Sequence, residues 1–585
     1  MILRVWRGTS VAEARGMKRW ICLLIVAGCG MGGSADHASG QGPSADAGAG
    51  GVSFGGQQDI GEFRGILKNG GIPGPDTLDA NGFFNEHYAP PPATACTDPL
   101  CMTPGLSVGK DWVNGQHQAA LQIAVDTNVD PANYPKQPLN LVIVVDHSGS
   151  MAQDGRLDKV KAGLNTLIDA LDPTDRLALI KFDDQVSVDA SFTPELDRAH
   201  LHTLVNALAP RGATNIFAGL KQGFDLSVAA LATDRQNRVI FLSDGLATIG
   251  NQDPQAIIAM ADSYVERGIG LTTIGVGQDF DVTLMRSLAE HGAGNFYFLE
   301  DPNAATEVFQ QELAYFVTPI ALDITLDAVA GTGYNFGEVV GSTLWTGNQR
   351  GGSMHIPAAF LASRIGPDPD PGTGGRRGGG SMLFIHIDPT GFNPDGKVAD
   401  LTLTYRVPGD ATLKSQTVTL QYTNDPTVTP EVPYLSQPEM APRFAMYNAF
   451  LGFRAAVQDT NYNCAAVTLR ALQAAMTAWN ATHENPDIAA DLTLVAEYLA
   501  NLENYGASQD TTLTSTSCQN YGGGGYGDGY GSDDYGGDYN SNYPNQGCYS
   551  ASRGTSGGFA LIGLAAFAAV RRRRNKPATR TVREA

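Results

Sequence analysis

The sequence predicts an α/β fold at its centre: a doubly wound, mostly parallel sheet covered by helices, with a flanking β-sandwich and a C-terminal helical segment. Two observations predict the central fold. Apolar runs rich in β-branched residues alternate with amphipathic runs of helical period between residues 138 and 317, which is typical of strand–helix–strand units. Polar residues follow several of the apolar runs, and such sheets bind ligands at the carboxyl ends of their strands.

The patterns of the central region assign its elements in order. Nearly continuous apolar runs favour strands buried on both faces, and these are residues 139–145, 176–182, 238–242 and 270–276. Residues 186–192 alternate apolar and polar side chains, which favours an antiparallel edge strand. Amphipathic helices are predicted over 157–171, 194–208, 216–232, 254–267 and 282–291.

Oxygen-bearing side chains stand in three loops at the ends of these elements. The first strand leads into Asp146, Ser148 and Ser150, with Gly149 allowing a tight turn. Thr214 precedes a predicted helix, and Asp244 follows the strand at 238–242. Carboxylates and hydroxyls are hard ligands that suit Mg²⁺ or Mn²⁺ better than copper or zinc. The sequence therefore predicts one divalent-cation site made by Asp146, Ser148, Ser150, Thr214 and Asp244.

This spacing resembles the metal-ion-dependent adhesion site of von Willebrand factor A domains. Asp146, Ser148 and Ser150 match the Asp-x-Ser-x-Ser element, Thr214 the threonine, and Asp244 the second aspartate. The resemblance implies that the hydroxyls bind the metal directly, that the aspartates act directly or through water, and that an open coordination position takes a carboxylate from a partner.

A purely structural interpretation of the same residues stays open. Ser148 and Ser150 could cap the following helix, and Asp244 with Gly245 could form a plain turn. His147 is interpreted as a loop residue. Asp183 and Asp184 are expected to be solvated carboxylates of a turn.

The N-terminal segment predicts export. Basic residues precede the apolar run at 20–26, which is too short for a stable bilayer-spanning helix. The run ends in Val-Ala-Gly-Cys29, which resembles a bacterial lipoprotein signal and implies lipidation of Cys29; ordinary cleavage is the alternative, and Met17 could be the true start. Residues 1–28 are the predicted signal peptide, and 29–56 a disordered tether.

The C-terminal segment predicts a second anchor. Residues 519–547 are a Gly/Tyr-rich low-complexity stretch, and residues 548–585 hold Cys548, an apolar run and four consecutive arginines. This order resembles myxobacteria-type sorting signals and implies cleavage near Cys548; a plain transmembrane anchor is the alternative. Both interpretations predict a protein of the outer membrane or cell surface.

Four cysteines remain outside the two ends. They allow three pairings, and we favour Cys96 with Cys101 and Cys464 with Cys518, which export to an oxidising compartment permits. Zinc binding is the weaker alternative because no Cys-x-x-Cys pair occurs.

The flanks of the central domain (138–317) predict three further regions. Residues 57–137 contain a stretch that resembles an N-terminal motif of bacterial secreted A-domain proteins, followed by a strand at 119–125. Strand-like runs within 318–425 predict a β-sandwich that this strand could complete, so that the central domain would be inserted into it. Residues 440–505 carry apolar stripes of helical period, which are usually core.

The predicted function is binding without catalysis: adhesion or assembly through a metal-bound carboxylate of a protein or polymer. A net charge of −21 argues against a nucleic-acid partner. A permanent structural subunit of a cell-envelope complex is the first alternative. A Mg²⁺-dependent hydrolase is the second, although the sequence offers no Gly-rich phosphate loop with Lys and no His-Glu-x-x-His motif.

Overall fold

We describe a computed structural model of the 585-residue chain. The structure describes residues 52–54, 60–88, 96–129, 137–244, 246–277, 280–299, 319–361, 382–391, 394–410, 412–425, 427–429 and 431–518. The predicted signal peptide, most of the tether, the low-complexity stretch and the sorting segment lie outside these residues, as do Cys29 and Cys548. Within the described ranges, no helix combines the length and the apolar character that crossing a membrane requires.

The N-terminal part combines short helices with a hairpin. Its elements are β1 (Val52–Phe54), α1 (Gly61–Lys68), α2 (Ala80–Asn85), β2 (Cys101–Lys110) and β3 (His117–Asp126). The chain then enters the central domain, whose strands are β4 (Leu139–Asp146), β5 (Arg176–Phe182), β6 (Val186–Ala190), β7 (Gln236–Ser243), β8 (Ile269–Val276) and β9 (Phe296–Leu299). Its described helices are α3 (Arg156–Ala170), α4 (Arg198–Asn206), α5 (Ile216–Ala229), α6 (Pro254–Val265) and α7 (Val282–His291).

The central sheet confirms the predicted α/β architecture. Its strand order is β6-β5-β4-β7-β8-β9, with parallel pairing throughout except for the antiparallel edge pair β5–β6. Strand β4 lies in the middle, and all eight of its residues are buried because helices cover both faces of the sheet. The two apolar layers contain α3 and α4 on one face and α5, α6 and α7 on the other.

The chain leaves the central domain into a β-sandwich. The strands are β10 (Pro319–Ala330), β11 (Tyr334–Val340), β12 (Trp345–Asn348), β13 (Gly351–Leu361), β14 (Met382–Pro389), β15 (Gly396–Arg406), β16 (Leu413–Tyr422) and β17 (Tyr434–Leu435). One sheet has the order β1-β13-β10-β15-β16, with β12 paired to β13, and the other has the order β11-β14-β3-β2-β17. Since β2 and β3 precede the central domain and complete the second sheet, the central domain is inserted into the sandwich.

Three C-terminal helices cover the outer face of the second sheet. They are α8 (Met440–Gln458), α9 (Tyr462–His483) and α10 (Pro486–Asn504). Helices α1 and α2 pack into the same apolar core, where the ring of Phe63 meets those of Phe453 and Tyr498 edge-on. The predicted N-terminal motif and the predicted helical segment therefore share one core. Disulfides join Cys96 to Cys101 and Cys464 to Cys518.

Buried polar contacts join the central domain to the sandwich. Glu290, in the last turn of α7, accepts hydrogen bonds from the Ser342 hydroxyl (3.0 Å), the Thr343 amide (3.2 Å) and the Thr343 hydroxyl. Burial raises the pKa of Glu290, and the nearby charge of Asp79 acts in the same direction. The guanidinium of Arg238 lies 4.5 Å from the centre of the Phe360 ring. Burial lowers the pKa of Arg238 to about 9.

Candidate metal centre

The first loop of the candidate centre begins at the carboxyl end of β4. Asp146 is fully buried there, because β4 has a parallel neighbour on each side. One oxygen of its carboxylate accepts a hydrogen bond from the Ser148 amide at 2.8 Å. The other accepts from the Ser243 hydroxyl at 2.7 Å, which comes from the end of the adjacent strand β7. The carboxylate is therefore held by both central strands of the sheet.

The two serines connect this loop to Asp244. The Ser150 hydroxyl donates to Asp244 Oδ1 at 2.8 Å, across 94 residues of sequence. The Ser148 and Ser150 hydroxyl oxygens lie 3.0 Å apart. Ser148 and Asp244 are buried, and Ser150 is half-buried. Four of the five predicted ligands thus form one continuous cluster of carboxylate and hydroxyl oxygens.

Backbone contacts hold the loop that carries Thr214 beside the loop that follows β4. The Gly149 amide donates to the Gly212 carbonyl at 3.1 Å, and the Arg211 amide donates to the His147 carbonyl at 2.8 Å. The Thr214 amide donates to the Thr248 hydroxyl at 2.8 Å. The Thr214 side chain is buried, and its hydroxyl forms no hydrogen bond with the part of the chain that the structure describes.

The structure argues against helix capping as the role of the serines. Ser148 stands before a 3₁₀ turn (Gly149–Gly155), but its side chain makes no capping hydrogen bond. Helix α3 begins after Gly155, again without a side-chain cap. The Ser148 hydroxyl instead contacts the Ser150 hydroxyl, and the Ser150 hydroxyl donates to Asp244.

A buried arginine, which the sequence analysis did not identify, contacts the cluster. Arg156, the first residue of α3, donates from Nη1 to Asp244 Oδ2 at 3.0 Å, and both side chains are almost fully buried. Gly277 makes room for it: its φ is +85°, and a Cβ there would lie 2.4 Å from Arg156 Nε. The charges of the cluster are therefore two carboxylates and one guanidinium.

Asp183 contradicts the expectation of a solvated turn. Its side chain is buried, lies 3.5 Å from His147 Nε2 and accepts a hydrogen bond from Arg211 Nε. Its backbone carbonyl also accepts from the Asn215 amide at 3.0 Å. Burial opposes the charged form, but the hydrogen bonds from Arg211 and from the Gln185 amide outweigh it and lower the pKa of Asp183. The expectation for Asp183 was wrong because this carboxylate anchors the loop that carries Thr214.

His147 and Asp184 lie next to these residues in the same loops. His147 is buried, and its Nδ1 lies 2.9 Å from the Ala209 carbonyl oxygen, so the ring supports the loop from inside. Asp184 is about half exposed, as expected for a turn carboxylate.

The electrostatic environment of Asp146 favours a compensating positive charge. Burial is the main reason why the pKa of Asp146 rises to about 6, and the Asp244 charge raises it further. Hydrogen bonds from Ser243 and Ser148 act in the opposite direction. Two buried carboxylates surrounded by hydroxyls suit Mg²⁺ or Mn²⁺ through their hard oxygen donors. In the described residues, no group of three or more His, Cys, Asp or Glu side chains is placed to hold a metal ion.

Comparison with known proteins places the central domain in a family. The model of the von Willebrand factor type A domain matches residues 140–311. The uncharacterized protein sll0103 of Synechocystis is 31% identical over 195 residues, which are 33% of this chain and 45% of that protein. The uncharacterized protein YfbK of Escherichia coli is 27% identical over 186 residues, 32% of each chain.

More distant similarities include animal proteins and solved structures. The inter-alpha-trypsin inhibitor heavy chain H3 of Pongo abelii is 28% identical over 238 residues, and this chain covers 27% of its length. This chain therefore spans less than half of each of these three relatives. The solved von Willebrand factor type A protein from Catenulispora acidiphila is 17% identical with a TM-score of 0.45, covering 66% of this chain and 88% of that one. A mussel byssus matrix protein described with a zinc-occupied MIDAS motif is 16% identical, with a TM-score of 0.28, and covers 32% of this chain and 51% of that one.

The fold, the strand order and the family match agree on one conclusion for the middle of the chain. Residues 140–311 form a von Willebrand factor type A domain.

Proposed function

We propose that this protein binds a protein or polymer partner outside the cell through a divalent cation, Mg²⁺ or Mn²⁺, without chemical conversion of the partner. Asp146, Ser148, Ser150, Thr214 and Asp244 would hold the cation. The observation that carries the proposal is the contact of the Ser150 hydroxyl with Asp244 at 2.8 Å and with Ser148 at 3.0 Å. Hydroxyl and carboxylate oxygens meet there, beside the guanidinium of Arg156, and such oxygens are the ligands of a hard cation.

Residues around the proposed ligands hold them in position. Ser243 and the Ser148 amide fix the Asp146 carboxylate, so that the site is formed before a partner arrives. Asp183 and Arg211 hold the loop that presents Thr214. A bound cation would supply positive charge and an open coordination position for a carboxylate oxygen of the partner.

The first experiment measures cation binding directly. Titration of the full chain with Mn²⁺, followed by calorimetry and by the electron paramagnetic resonance signal of free Mn²⁺, should show one site. Ser150→Ala and Asp244→Asn should each weaken it at least tenfold, whereas Ser415→Ala, an exposed serine on the sandwich, should leave it unchanged. Equal Mn²⁺ affinity in the wild type and in both site variants would contradict the proposal.

The second experiment tests the partner. The immobilised chain is exposed to surface proteins and polymers of the native cells in Mg²⁺ and in EDTA. Capture that depends on Mg²⁺ and is lost in Ser150→Ala supports adhesion, and a partner that stays stoichiometric through purification identifies a permanent assembly. Capture that is unchanged in EDTA would overturn a metal-dependent mechanism.

Anchoring at the cell surface is part of the same proposal. The apolar run at residues 20–26 followed by Cys29 supports lipidation, and Cys548 with the arginines at 571–574 supports sorting of the other end. Incorporation of labelled palmitate that Cys29→Ser abolishes would support the first anchor, with Cys22→Ser as the matched control. Protease accessibility on intact cells tests exposure of the body.

A further inference from the structure

A cleft of the β-sandwich, distant in sequence from the candidate metal centre, has the properties of a second binding site. Its volume is about 470 Å³, within the range of small-molecule sites. No lining side chain carries a charge. The side chains that line it are those of Phe336, Val339, Ser342, Trp345, Asn348 and Gln349.

The cleft follows from an irregularity in strand β11. The pairing of β11 with β14 shifts register between Phe336 and Val339, so the intervening residues leave the ladder. The Phe336 amide donates to the Gln349 carbonyl at 2.9 Å and joins β11 to the β12–β13 hairpin at one point. Residues of both segments line the cleft: Phe336 and Val339 from β11, and Trp345 and Asn348 from β12.

Trp345 provides a rigid aromatic wall. Its indole is half-buried and packs against the sandwich core. Glycines beneath it allow close approach, since a Cβ at Gly352 would lie 2.4 Å from Trp345 Cζ2 and one at Gly347 would lie 2.9 Å from Nε1. A ring fixed in this way loses little conformational freedom when a ligand stacks on it.

Neutral amides provide the polar groups of the cleft. Asn348 Oδ1 accepts a hydrogen bond from the Arg350 amide at 2.8 Å, which orients the side chain and leaves its NH₂ group as a donor. The Gln349 side chain is exposed and makes no hydrogen bond with described residues. Each amide can donate and accept, which matches hydroxyl groups.

The charged residues next to the lining are held by other groups. Glu290 accepts hydrogen bonds from Ser342 and Thr343 and is buried. The Arg350 guanidinium donates to backbone carbonyls at the β10–β11 turn. Glu338 forms a two-point ion pair with Arg454 at 2.6 and 2.9 Å. Asp388 lies 3.3 Å from His386. The cleft itself therefore offers no counter-charge to an ionic ligand.

We infer that this cleft binds a neutral saccharide unit of an extracellular glycan. A pyranose ring presents an apolar C–H face that can stack on Trp345, and its hydroxyls can both donate to and accept from Asn348 and Gln349. The absence of charge in the lining favours neutral over acidic sugars. No carboxylate lines the cleft, so this binding is independent of divalent cations and of the proposed metal centre.

Saturation-transfer difference NMR on the full chain in EDTA tests the inference. The probes are glucose, galactose, mannose and N-acetylglucosamine with their short oligomers, and glucuronate and galacturonate as acidic counterparts. At least one neutral probe should bind, and Trp345→Ala should weaken it at least about tenfold, the effect of roughly 1.4 kcal/mol. Trp479→Ala, which changes a half-buried tryptophan on α9, should leave binding unchanged.

Two further variants separate loss of binding from loss of folding. The Gln349 side chain is exposed and makes no hydrogen bond with described residues, so Gln349→Ala should keep the wild-type melting temperature. Asn348→Ala loses only the exposed turn bond to the Arg350 amide and should stay folded. Both variants should still weaken sugar binding severalfold. The inference is overturned if no neutral probe binds, if acidic probes bind as well as neutral ones, or if the loss occurs in Trp479→Ala instead. None of these results would affect the Mn²⁺ titration of the metal centre.

Discussion

Replacing Arg156 by Met removes the positive charge that the chain itself places beside the candidate metal centre. Arg156 Nη1 lies 3.0 Å from Asp244 Oδ2, and the two side chains are 4% and 0% exposed. Unit charges about 4 Å apart interact by about 4 kcal/mol at an effective dielectric constant near 20, and removing one partner of a buried pair costs about 3–5 kcal/mol. In EDTA we therefore expect Arg156→Met to lose about 3 kcal/mol of stability.

A bound cation should offset most of that loss, because it compensates the same carboxylate charge. The assay is thermal unfolding of wild type and variant in EDTA and in saturating Mn²⁺, with Mn²⁺ affinity measured by calorimetry. At about 2–4 °C per kcal/mol for a domain of this size, Arg156→Met should melt about 6–12 °C lower in EDTA. It should also gain more from Mn²⁺ than the wild type does, with an affinity raised about tenfold.

An exposed ion pair on the sandwich provides the control. Arg406 lies 3.0 Å from Asp323, but their side chains are 50% and 56% exposed, so Arg406→Met should cost less than about 1 kcal/mol. Arg156→Met could instead melt like this control in EDTA and bind Mn²⁺ no more tightly than the wild type. That result would refute the idea that Arg156 and the cation compensate the same carboxylate charge.

Three further predictions concern the body of the protein. Burial raises the pKa of Glu290, so the folded state holds this proton more tightly than the unfolded chain. Stability should therefore fall as the pH rises from about 4.5, the ordinary pKa of a glutamate, through the raised pKa of the folded state. Melting curves of Glu290→Gln, measured over the same pH range, should lack this fall in stability. Cys464→Ser should lower the free energy of unfolding in denaturant by about 4 kcal/mol, because the disulfide to Cys518 closes a loop of 54 residues and limits the entropy of the unfolded chain. The Cys96–Cys101 disulfide closes a loop of only 5 residues. An equal loss in Cys96→Ser would therefore contradict this entropic explanation. Phe63→Ala should cost about 3–5 kcal/mol and loosen α1, measured by hydrogen exchange, because its fully buried ring packs on Phe453 and Tyr498.

The central domain was predictable because burial on both faces leaves a simple pattern. Strand β4 lies within two covered layers, so its sequence is almost uninterrupted in apolar residues, and the predicted helix at 282–291 coincides with α7. The sandwich was less predictable. Strand β2 contains Pro104 and Gly105, which argue against a strand in sequence terms. Gly105 is needed in β2 because a Cβ there would lie 2.1 Å from Met440 Sδ, a contact that no local pattern reveals.

In the candidate site, too, the sequence revealed residues at strand ends but not the contacts between distant segments. Asp146 and Asp244 stand at the ends of apolar runs and carry carboxylates, so the sequence alone was enough to predict them as ligands. Arg156 was missed because an arginine at the start of an amphipathic helix resembles any solvated residue. Ser243 lies between the predicted strand at 238–242 and Asp244, but its hydrogen bond to Asp146 depends on the neighbouring position of β4 and β7. Asp183 was misjudged because its partners lie in other loops.

The described contacts of the inserted domain with the sandwich and the oxygen cluster lie at opposite ends of the central sheet. Strand β4 begins at Leu139 and ends at Asp146, about 23 Å away at 3.3 Å per residue. Arg238, which packs on the sandwich residue Phe360, pairs with the second residue after Leu139. Glu290 contacts the sandwich from the last turn of α7, and Gly292 just after it bonds to the Leu271 amide near the start of β8. These contacts with the sandwich thus lie toward the amino ends of the strands, whereas the oxygen cluster lies at the carboxyl ends of β4 and β7, at the opposite edge of the sheet.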